Sequence, residues 1–181
     1  MAENRGKKFE QIIQSCFQEV NNTSVVRLHD QTTGYRGSSN HCDFIVYHKP
    51  YELHLECKSV HGNTLSIFSN PKSDKHGVLH GFYGNITDAQ WQGLLDRSIV
   101  PGVVAGVICW WVDKDVTRFL PIQLLEEAYL LGQKSIRYDD DDLYVQRDKS
   151  FTAIPINGKK KRIFFEYDME EFFNEISISY R

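Results

Sequence analysis

The residues with the clearest chemical potential are two acids and a lysine, Asp43, Glu56 and Lys58. Residues 43–47 (DFIVY) and 52–58 (ELHLECK) predict the two strands of a β-hairpin. Because side chains alternate between the two faces of a strand, Glu56 and Lys58 are expected on the same surface. The other members of that surface are Glu52 and His54, and the core-facing residues are Leu53, Leu55 and Cys57.

The hairpin register decides whether Asp43 joins this surface. A symmetric turn centred between Lys49 and Pro50 pairs Asp43 with Glu56 across the two strands. Directly opposed residues of an antiparallel pair point to the same side of the sheet. The predicted patch therefore combines two carboxylates with the ammonium group of Lys58. Like charges at this separation raise a carboxylate pKa unless a cation lies between them.

Mg²⁺ is the cation that suits such a patch, because it takes oxygen ligands in an octahedron and keeps several waters. A carboxylate-bound Mg²⁺ polarises a phosphodiester and helps to deprotonate an attacking water. Lys58 could orient that water or neutralise the charge that develops on the phosphorane. The alternative is a surface ion pair between Glu56 and Lys58, since E-x-K triplets occur by chance and an exposed pair contributes only about 0 to 1 kcal/mol.

The histidines near the patch offer a second kind of metal site. His41, His54 and His61, together with Asp43, have the ligand types that a transition metal such as Zn²⁺ accepts. We rank this site below the Mg²⁺ site, because the sequence has no H-x₃-H helix and no closed ligand set. A phosphate-binding loop of the Walker type is also absent, so no nucleotide cofactor is expected.

Two helices are predicted to flank the hairpin. Apolar residues recur at the i, i+3, i+4 and i+7 spacing over residues 6–20, and Glu10 falls at the edge of that apolar stripe. A second helix is predicted over 87–98, where Thr87 and Gln90 have the spacing of a capping box. Further predicted elements are strands at 25–28, 103–112 and 118–120, and helices that open at Pro121 and after Asp168.

This order of elements predicts an α/β fold with a mixed central sheet flanked by helices. We expect a single domain over residues 1–181, with a core at about 4–136 and a C-terminal strand–helix appendage at about 150–181. Glycine and asparagine dominate residues 61–85, which predicts a long exposed loop. The four acids at 139–142 are expected in a solvated loop.

Composition limits the class of protein. Apolar residues make up 41% of the 181 residues, which is enough for a packed core. No apolar run reaches the roughly 18 to 20 residues of a membrane helix, and the first residues lack the apolar region of a secretory signal. We therefore expect a cytoplasmic protein without a membrane partner. The scattered cysteines, which argue against a disulfide framework, are Cys16, Cys42, Cys57 and Cys109.

Several short motifs together resemble the PD-(D/E)xK nuclease superfamily, and more narrowly the RecU-type Holliday junction resolvases of low-GC Gram-positive bacteria and their phages. The order and spacing of the motifs over residues 4–136 carry the resemblance, since each motif alone is weak. The matching segments are Asn4-Arg5-Gly6 followed by Glu10, Cys42-Asp43-Phe44, Leu55-Glu56-Cys57-Lys58, Ala89-Gln90-Trp91 and Gln133-Lys134-Ser135-Ile136.

The resemblance implies a restriction-endonuclease-like sheet and a set of roles for this sequence. Asp43 and Glu56 would bind Mg²⁺, for which Mn²⁺ can substitute, with the backbone carbonyl of Cys57 as a third ligand. Lys58 would be the catalytic lysine. Gln90 and Glu10 would support the site, with helix capping and a solvated helix edge as the respective alternatives. Apart from these roles, basic residues are candidates for contacts to the DNA backbone, with an ordinary surface charge as the alternative for each of them: Arg5, Lys7, Arg36, Lys72, Lys75 and Lys134.

The chain also departs from the family pattern. Residues 21–42 are too short for the stalk that bacterial members insert between the first helix and the Asp-bearing strand. The segment 61–85 is longer than expected and offers its own basic residues. We expect a Mg²⁺-dependent nuclease that nicks four-way junctions as a homodimer, because two symmetric cuts need two sites. The alternatives are a restriction-type or repair endonuclease that acts on duplex DNA, and a non-catalytic DNA-binding module.

Overall fold

The computed structural model describes residues 5–28, 40–67, 72–73, 79–80, 84–140, 144–146, 149–162 and 164–180. The helices are α1 (Arg5–Gln18), α2 (Asp88–Ser98), α3 (Ile122–Leu130) and α4 (Met169–Ser179), with a 3₁₀ turn at Val112–Lys114. The strands are β1 (Thr23–Arg27), β2 (Phe44–His48), β3 (Tyr51–Val60), β4 (Thr64–Ser66), β5 (Lys72–Ser73), β6 (Leu79–His80), β7 (Val103–Trp111), β8 (Val116–Pro121), β9 (Ser135–Arg137), β10 (Tyr144–Gln146), β11 (Lys149–Phe151), β12 (Ile154–Pro155), β13 (Gly158–Lys160) and β14 (Phe165–Tyr167).

A mixed β-sheet forms the centre of the molecule, with the strand order β1-β2-β3-β7-β8-β12. β3 and β7 run parallel, whereas every other neighbouring pair in this sheet is antiparallel. Helix α2 lies on the connection between β3 and β7, which is the crossover that a parallel pair requires. The predicted fold class, a mixed central sheet flanked by helices, is confirmed.

The register of the β2–β3 hairpin is the one that the sequence predicts. Phe44 pairs with Leu55 and His48 pairs with Tyr51, so the turn is centred between Lys49 and Pro50. The ladder ends at Phe44, one residue after Asp43 in the chain. The end of this ladder is therefore where the two acidic residues come together.

The sheet is covered on both faces, which explains why its central strands are almost entirely apolar. One face packs against α1 and α4, with Leu53 and Leu55 of β3 among the buried residues. The other face packs against α2 and α3, through residues such as Leu94 and Leu125. β7 contributes Trp110 to the first cluster and Trp111 to the second, so the prediction that this strand is buried on both faces is confirmed.

The structure corrects the prediction for residues 61–85 in its described part. Residues Thr64–Ser66 form β4, which pairs with β9, and Leu65 and Ile67 are fully buried. The glycines and asparagines of this segment predict a loop. However, two apolar residues at alternate positions, Leu65 and Ile67, are enough to pack a short strand against the core. Pro121 is also corrected: it ends β8 and occupies the N-cap of α3 instead of its first turn.

The C-terminal segment contributes to the same body. β12 joins the edge of the central sheet beside β8. Helix α4 begins after Asp168, whose side chain accepts a hydrogen bond from the Glu171 amide, and its Phe172 and Phe173 are buried. The division into a core and an appendage stays a prediction. Within the described ranges, no helix is long and apolar enough to cross a membrane.

Candidate active site

Asp43 is fixed by the backbone on both of its sides. Its amide donates to the Leu55 carbonyl at 3.0 Å, and its carbonyl accepts from the Leu28 amide at 2.8 Å. Its carboxylate Oδ2 accepts a hydrogen bond from the Cys57 amide at 2.7 Å. Because the side chain bonds to the residue that follows Glu56, the Asp43 carboxylate is held beside β3 at the end of the hairpin ladder.

Glu56 is 3% exposed, although it is an acid on a strand. Its Oε1 lies 2.7 Å from the Lys58 ammonium group and accepts a hydrogen bond from Gln90 Nε2 at 2.6 Å. The α2 helix covers this face of the sheet and brings Gln90 to it. The predicted sharing of one surface by Glu56 and Lys58 is confirmed, but the surface is mostly enclosed and is not the exposed ion pair considered as the alternative.

Gln90 caps its own helix and also contacts two of the predicted site residues, Glu56 and Lys58. Its Oε1 accepts hydrogen bonds from the Thr87 amide at 3.0 Å and from Lys58 Nζ at 3.3 Å, while its Nε2 donates to Glu56. The Thr87 side chain in turn accepts from the Gln90 amide, which completes the predicted capping box. The Gln90 side chain therefore caps the N-terminus of α2 and also bridges Glu56 and Lys58.

The second oxygen of Glu56 is the least satisfied atom of the site. In the described part of the chain, the buried Glu56 Oε2 has no hydrogen-bond partner. Burial, followed by the negative charge of Asp43, raises the pKa of Glu56 to about 8, and Lys58 opposes this shift. A buried anionic oxygen without a donor is costly, so the site favours either a proton or a cation at this position.

Asp43 is affected by the same surroundings. Burial raises the pKa of Asp43, while the Cys57 amide, followed by Lys58 and Arg27, acts in the opposite direction. A protonated Glu56 carboxyl group can donate to Asp43, which also lowers the pKa of Asp43. Without a metal, these surroundings therefore favour the protonated form of Glu56 next to Asp43.

Glu10 forms a third acidic position at the border of the site. Arg27 of β1 forms an ion pair with Glu10 of α1. Burial and the charge of Asp43 raise the pKa of Glu10, and Arg27 lowers it. The position of Arg27 does not follow from the sequence, because β1 and β2 are joined by too many residues for the hairpin pairing rule that locates Asp43. Glu10 is thus tied to the site and is not a freely solvated helix edge.

The residues present fit a hard divalent cation. Two carboxylates lie together, one buried oxygen has no donor among the described residues, and a lysine stands beside them. Such oxygen donors are those that Mg²⁺ prefers. Cys57 cannot contribute through sulfur, since its side chain belongs to the core on the α1 side of the sheet, away from Glu56. Its backbone carbonyl as a ligand stays a prediction.

The residues predicted to contact DNA differ in their surroundings, and some of them lie outside the described part of the chain. Lys7 is exposed on α1, and its charge lowers the pKa of Glu10. Arg5 bonds to the His61 ring at 3.1 Å. Lys134 is exposed, and its carbonyl accepts from the Ile67 amide at 3.0 Å. Arg36, Lys75 and the side chain of Lys72 lie outside the described residues, as do Asp141 and Asp142 of the predicted acidic loop.

The histidines separate into two groups. The exposed His61 bonds to Asp113 at 2.9 Å. His41 and His54 instead contact each other and lie next to Cys42. The buried Cys42 thiol keeps its proton, because burial and the charges of Glu56 and Asp43 raise its pKa to about 12. A nucleophilic role for this cysteine is therefore not supported.

No protein-family model matches the sequence, and no curated protein matches it. Among solved structures, the chain is similar to Hjc from Archaeoglobus fulgidus, a Holliday junction resolvase from an archaeal hyperthermophile. The match has a TM-score of 0.43 and 16% sequence identity, and it covers 83% of this chain and 88% of Hjc.

Proposed function

We propose that the chain is a Mg²⁺-dependent endonuclease that nicks branched DNA, with the four-way (Holliday) junction as its substrate, in cytoplasmic recombination and repair. The observation that carries the proposal is that the half-buried Asp43 carboxylate is held beside β3 by the Cys57 amide, next to the buried Glu56, whose carboxylate is ion-paired with Lys58 at 2.7 Å. A structural ion pair would not require the second acid or leave the Glu56 Oε2 atom without a donor among the described residues.

The metal would be held by Asp43 and Glu56, with the Cys57 carbonyl as a further ligand. When bound there, Mg²⁺ supplies a Lewis acid for the phosphodiester and lowers the pKa of a coordinated water. The protein positions the ligands in advance, since the Cys57 amide fixes Asp43 and Gln90 fixes Glu56. This arrangement reduces the reorganisation that is needed when the ion and the DNA bind.

Lys58 is the proposed catalytic lysine. Its side chain is 20% exposed, and its ammonium group is held by the Glu56 carboxylate and the Gln90 amide oxygen. From this position it can donate a hydrogen bond to the attacking water or to a phosphate oxygen on which negative charge develops. Glu10 and Arg27 act through Asp43, as positioning residues at the border of the site.

The substrate assignment is supported by the ordered motifs that resemble RecU-type resolvases and by the requirement for paired cuts. A junction has two-fold symmetry, so a homodimer with two equivalent sites would cut both strands. The net charge of −3 gives little general attraction to DNA, so the proposed backbone contacts must come from local basic residues. These are Arg5, Lys7, Arg36, Lys72, Lys75 and Lys134.

Cleavage of a synthetic four-way junction with Mg²⁺, compared with a linear duplex of the same sequence, tests the proposal. We expect paired nicks in the junction, little cutting of the duplex, and loss of cutting in Asp43→Asn with retained DNA binding. Equal cutting of both substrates would remove the junction claim and leave a general nuclease. Binding without any product strands in the wild type would instead identify a non-catalytic DNA-binding module.

A further inference from the structure

A second cluster of ligand-type side chains lies on the α2-facing side of the hairpin. The available ligand atoms of His41, Cys42 and His54 all lie within 4.8 Å of one another. His41 Nε2 is 2.9 Å from His54 Nδ1, and Cys42 Sγ is 4.0 Å from the same Nδ1. Cys42 and His54 are each 2% exposed and His41 is half-buried, so the cluster is largely shielded from bulk solvent and is open to it on the His41 side.

The ring of His54 is oriented from its other side by an acid. His54 Nε2 lies 2.8 Å from the Glu52 carboxylate, which makes this nitrogen the protonated one and leaves Nδ1 as a lone-pair donor. A carboxylate behind the remote nitrogen is the usual arrangement for a metal-binding histidine, because it sets both the tautomer and the ring direction. Nδ1 is the atom that faces His41 and Cys42.

The position of His41 depends on a glycine in α2. A Cβ atom built on Gly93 would lie 2.2 Å from the His41 Cβ, so only glycine allows the histidine to pack this closely against the helix. Gly93 is in a helix interior, where glycine is otherwise unfavourable by about 1 kcal/mol relative to alanine. The close packing holds the His41 ring over His54, with ring centroids 5.1 Å apart.

We propose that His41, Cys42 and His54 bind one Zn²⁺ ion, with a water molecule as the fourth ligand. Two imidazole nitrogens and one thiolate are donors that Zn²⁺ accepts in a tetrahedral arrangement. Tetrahedral bond lengths imply separations of about 3.3 Å between the nitrogens and about 3.6 Å between nitrogen and sulfur. The His41–His54 and Cys42–His54 separations are within about half an ångström of these values, and all three ligand atoms lie within 4.8 Å of one another, so side-chain rotations that bring His41 and Cys42 together complete the site.

Binding releases one proton. Cys42 loses its thiol proton to solvent as the zinc–sulfur bond forms, and the His41 ring proton moves from Nε2 to Nδ1 so that Nε2 can coordinate. The zinc site would join His41 and Cys42, which directly precede Asp43 in the chain, to His54 in the middle of β3. It therefore fixes the approach of the chain to the carboxylate pair, and it is separate from the oxygen-rich pair that suits Mg²⁺.

Titration of the purified, metal-free chain with CoCl₂ and then ZnCl₂ tests the site. We expect one Co²⁺ per chain with a thiolate-to-cobalt charge-transfer band, and displacement of that Co²⁺ by Zn²⁺. Cys42→Ser should remove the band, and His54→Asn should weaken Zn²⁺ binding at least tenfold. Glu52→Gln, which changes only the group behind His54, should weaken it about 10-fold to 100-fold.

Gly93→Ala provides a variant that keeps every ligand and displaces only His41. We expect it to weaken Zn²⁺ binding at least tenfold, while Cys16→Ser, at a buried cysteine on the other side of the sheet, leaves binding unchanged. Glu56→Gln should also retain the Zn²⁺ site, which separates this proposal from the nuclease proposal. A wild-type spectrum without a thiolate-to-cobalt band overturns the proposal, and so does Zn²⁺ binding that survives in Cys42→Ser and His54→Asn.

Discussion

At the scale of single residues, the decisive feature is that Glu56 is a buried acid whose ionised form is not fully balanced by its surroundings. Lys58 and Gln90 both contact Oε1, while Oε2 has no partner among the described residues. A protein that needed only stability would be better served by a neutral side chain here. The cost is understandable if the position is reserved for a cation.

The raised pKa of Glu56 leads to a prediction for stability. Its pKa in the folded state is about 8, against an ordinary value of 4.5, so folding favours the protonated acid. The free energy of unfolding should therefore decrease as the pH rises from about 4.5 through 8. Glu56→Gln has no carboxyl group to ionise, so its stability should not fall over this pH range. Without metal, its melting temperature should be higher than that of the wild type at pH 9 and nearly equal to it at pH 5.

Thermal unfolding in the presence of a chelator measures this difference, and each 1 kcal/mol corresponds to about 2–4 °C for a chain of this size. Addition of Mg²⁺ at pH 9 should raise the melting temperature of the wild type and leave Glu56→Gln unchanged. Glu19→Gln, at an exposed acid of the first helix region, is the matched control and should behave as the wild type. A Glu56→Gln curve that follows the wild type at every pH would refute this description of Glu56.

Lys58 is expected to act in the chemical step and not in metal binding. Lys58→Ala should lower the single-turnover cleavage rate about 10²- to 10³-fold, because it removes a donor directed at developing charge. Junction affinity should change little, since one lysine is a small part of a DNA interface. Lys49→Ala, at an exposed lysine in the hairpin turn, provides the comparison and should cleave at the wild-type rate. Equal rates for the two variants would exclude Lys58 as a catalytic residue.

At the scale of elements, α2 is positioned by the same hydrogen bonds that complete the site. Thr87→Ala removes the side-chain cap and should cost about 1 kcal/mol of stability with a small effect on cleavage. Gln90→Ala removes the contacts to Glu56 and Lys58 as well, so its cleavage rate should fall further than that of Thr87→Ala. Melting temperatures and single-turnover rates of both variants check this. Parallel losses in the two variants would mean that Gln90 only caps the helix.

Local rules predicted the elements around the site, and long-range packing decided the others. The β2–β3 register and the α2 capping box follow from a symmetric turn and a four-residue pattern, which are properties of neighbouring residues. The positions of Arg27 and Leu65 depend on pairing with distant strands, for which the sequence gives no register. The burial of Glu56 likewise follows from the docking of α2 on the sheet, which alternation along one strand does not reveal.

At the scale of the whole molecule, the small negative charge means that the proposed DNA binding depends on local basic residues. Arg5 and Lys7 lie at the start of α1, on the element that brings Glu10 to the site. The double variant Arg5→Ala/Lys7→Ala should weaken junction and duplex binding together and reduce the slope of log affinity against log salt by about 2. Titrations at several salt concentrations measure this, with Lys159→Ala, at an exposed lysine of β13, as the control. An unchanged slope would remove these two residues from the proposed interface.

The central claim, that Asp43 and Glu56 together bind one divalent ion, is tested most directly by calorimetric titration with Mn²⁺, which prefers oxygen ligands. We expect one site per chain in the wild type and in Cys42→Ser. The site should be lost in Asp43→Asn and in Glu56→Gln and retained in Lys58→Ala. Binding of equal stoichiometry and affinity in Asp43→Asn and Glu56→Gln would contradict the account.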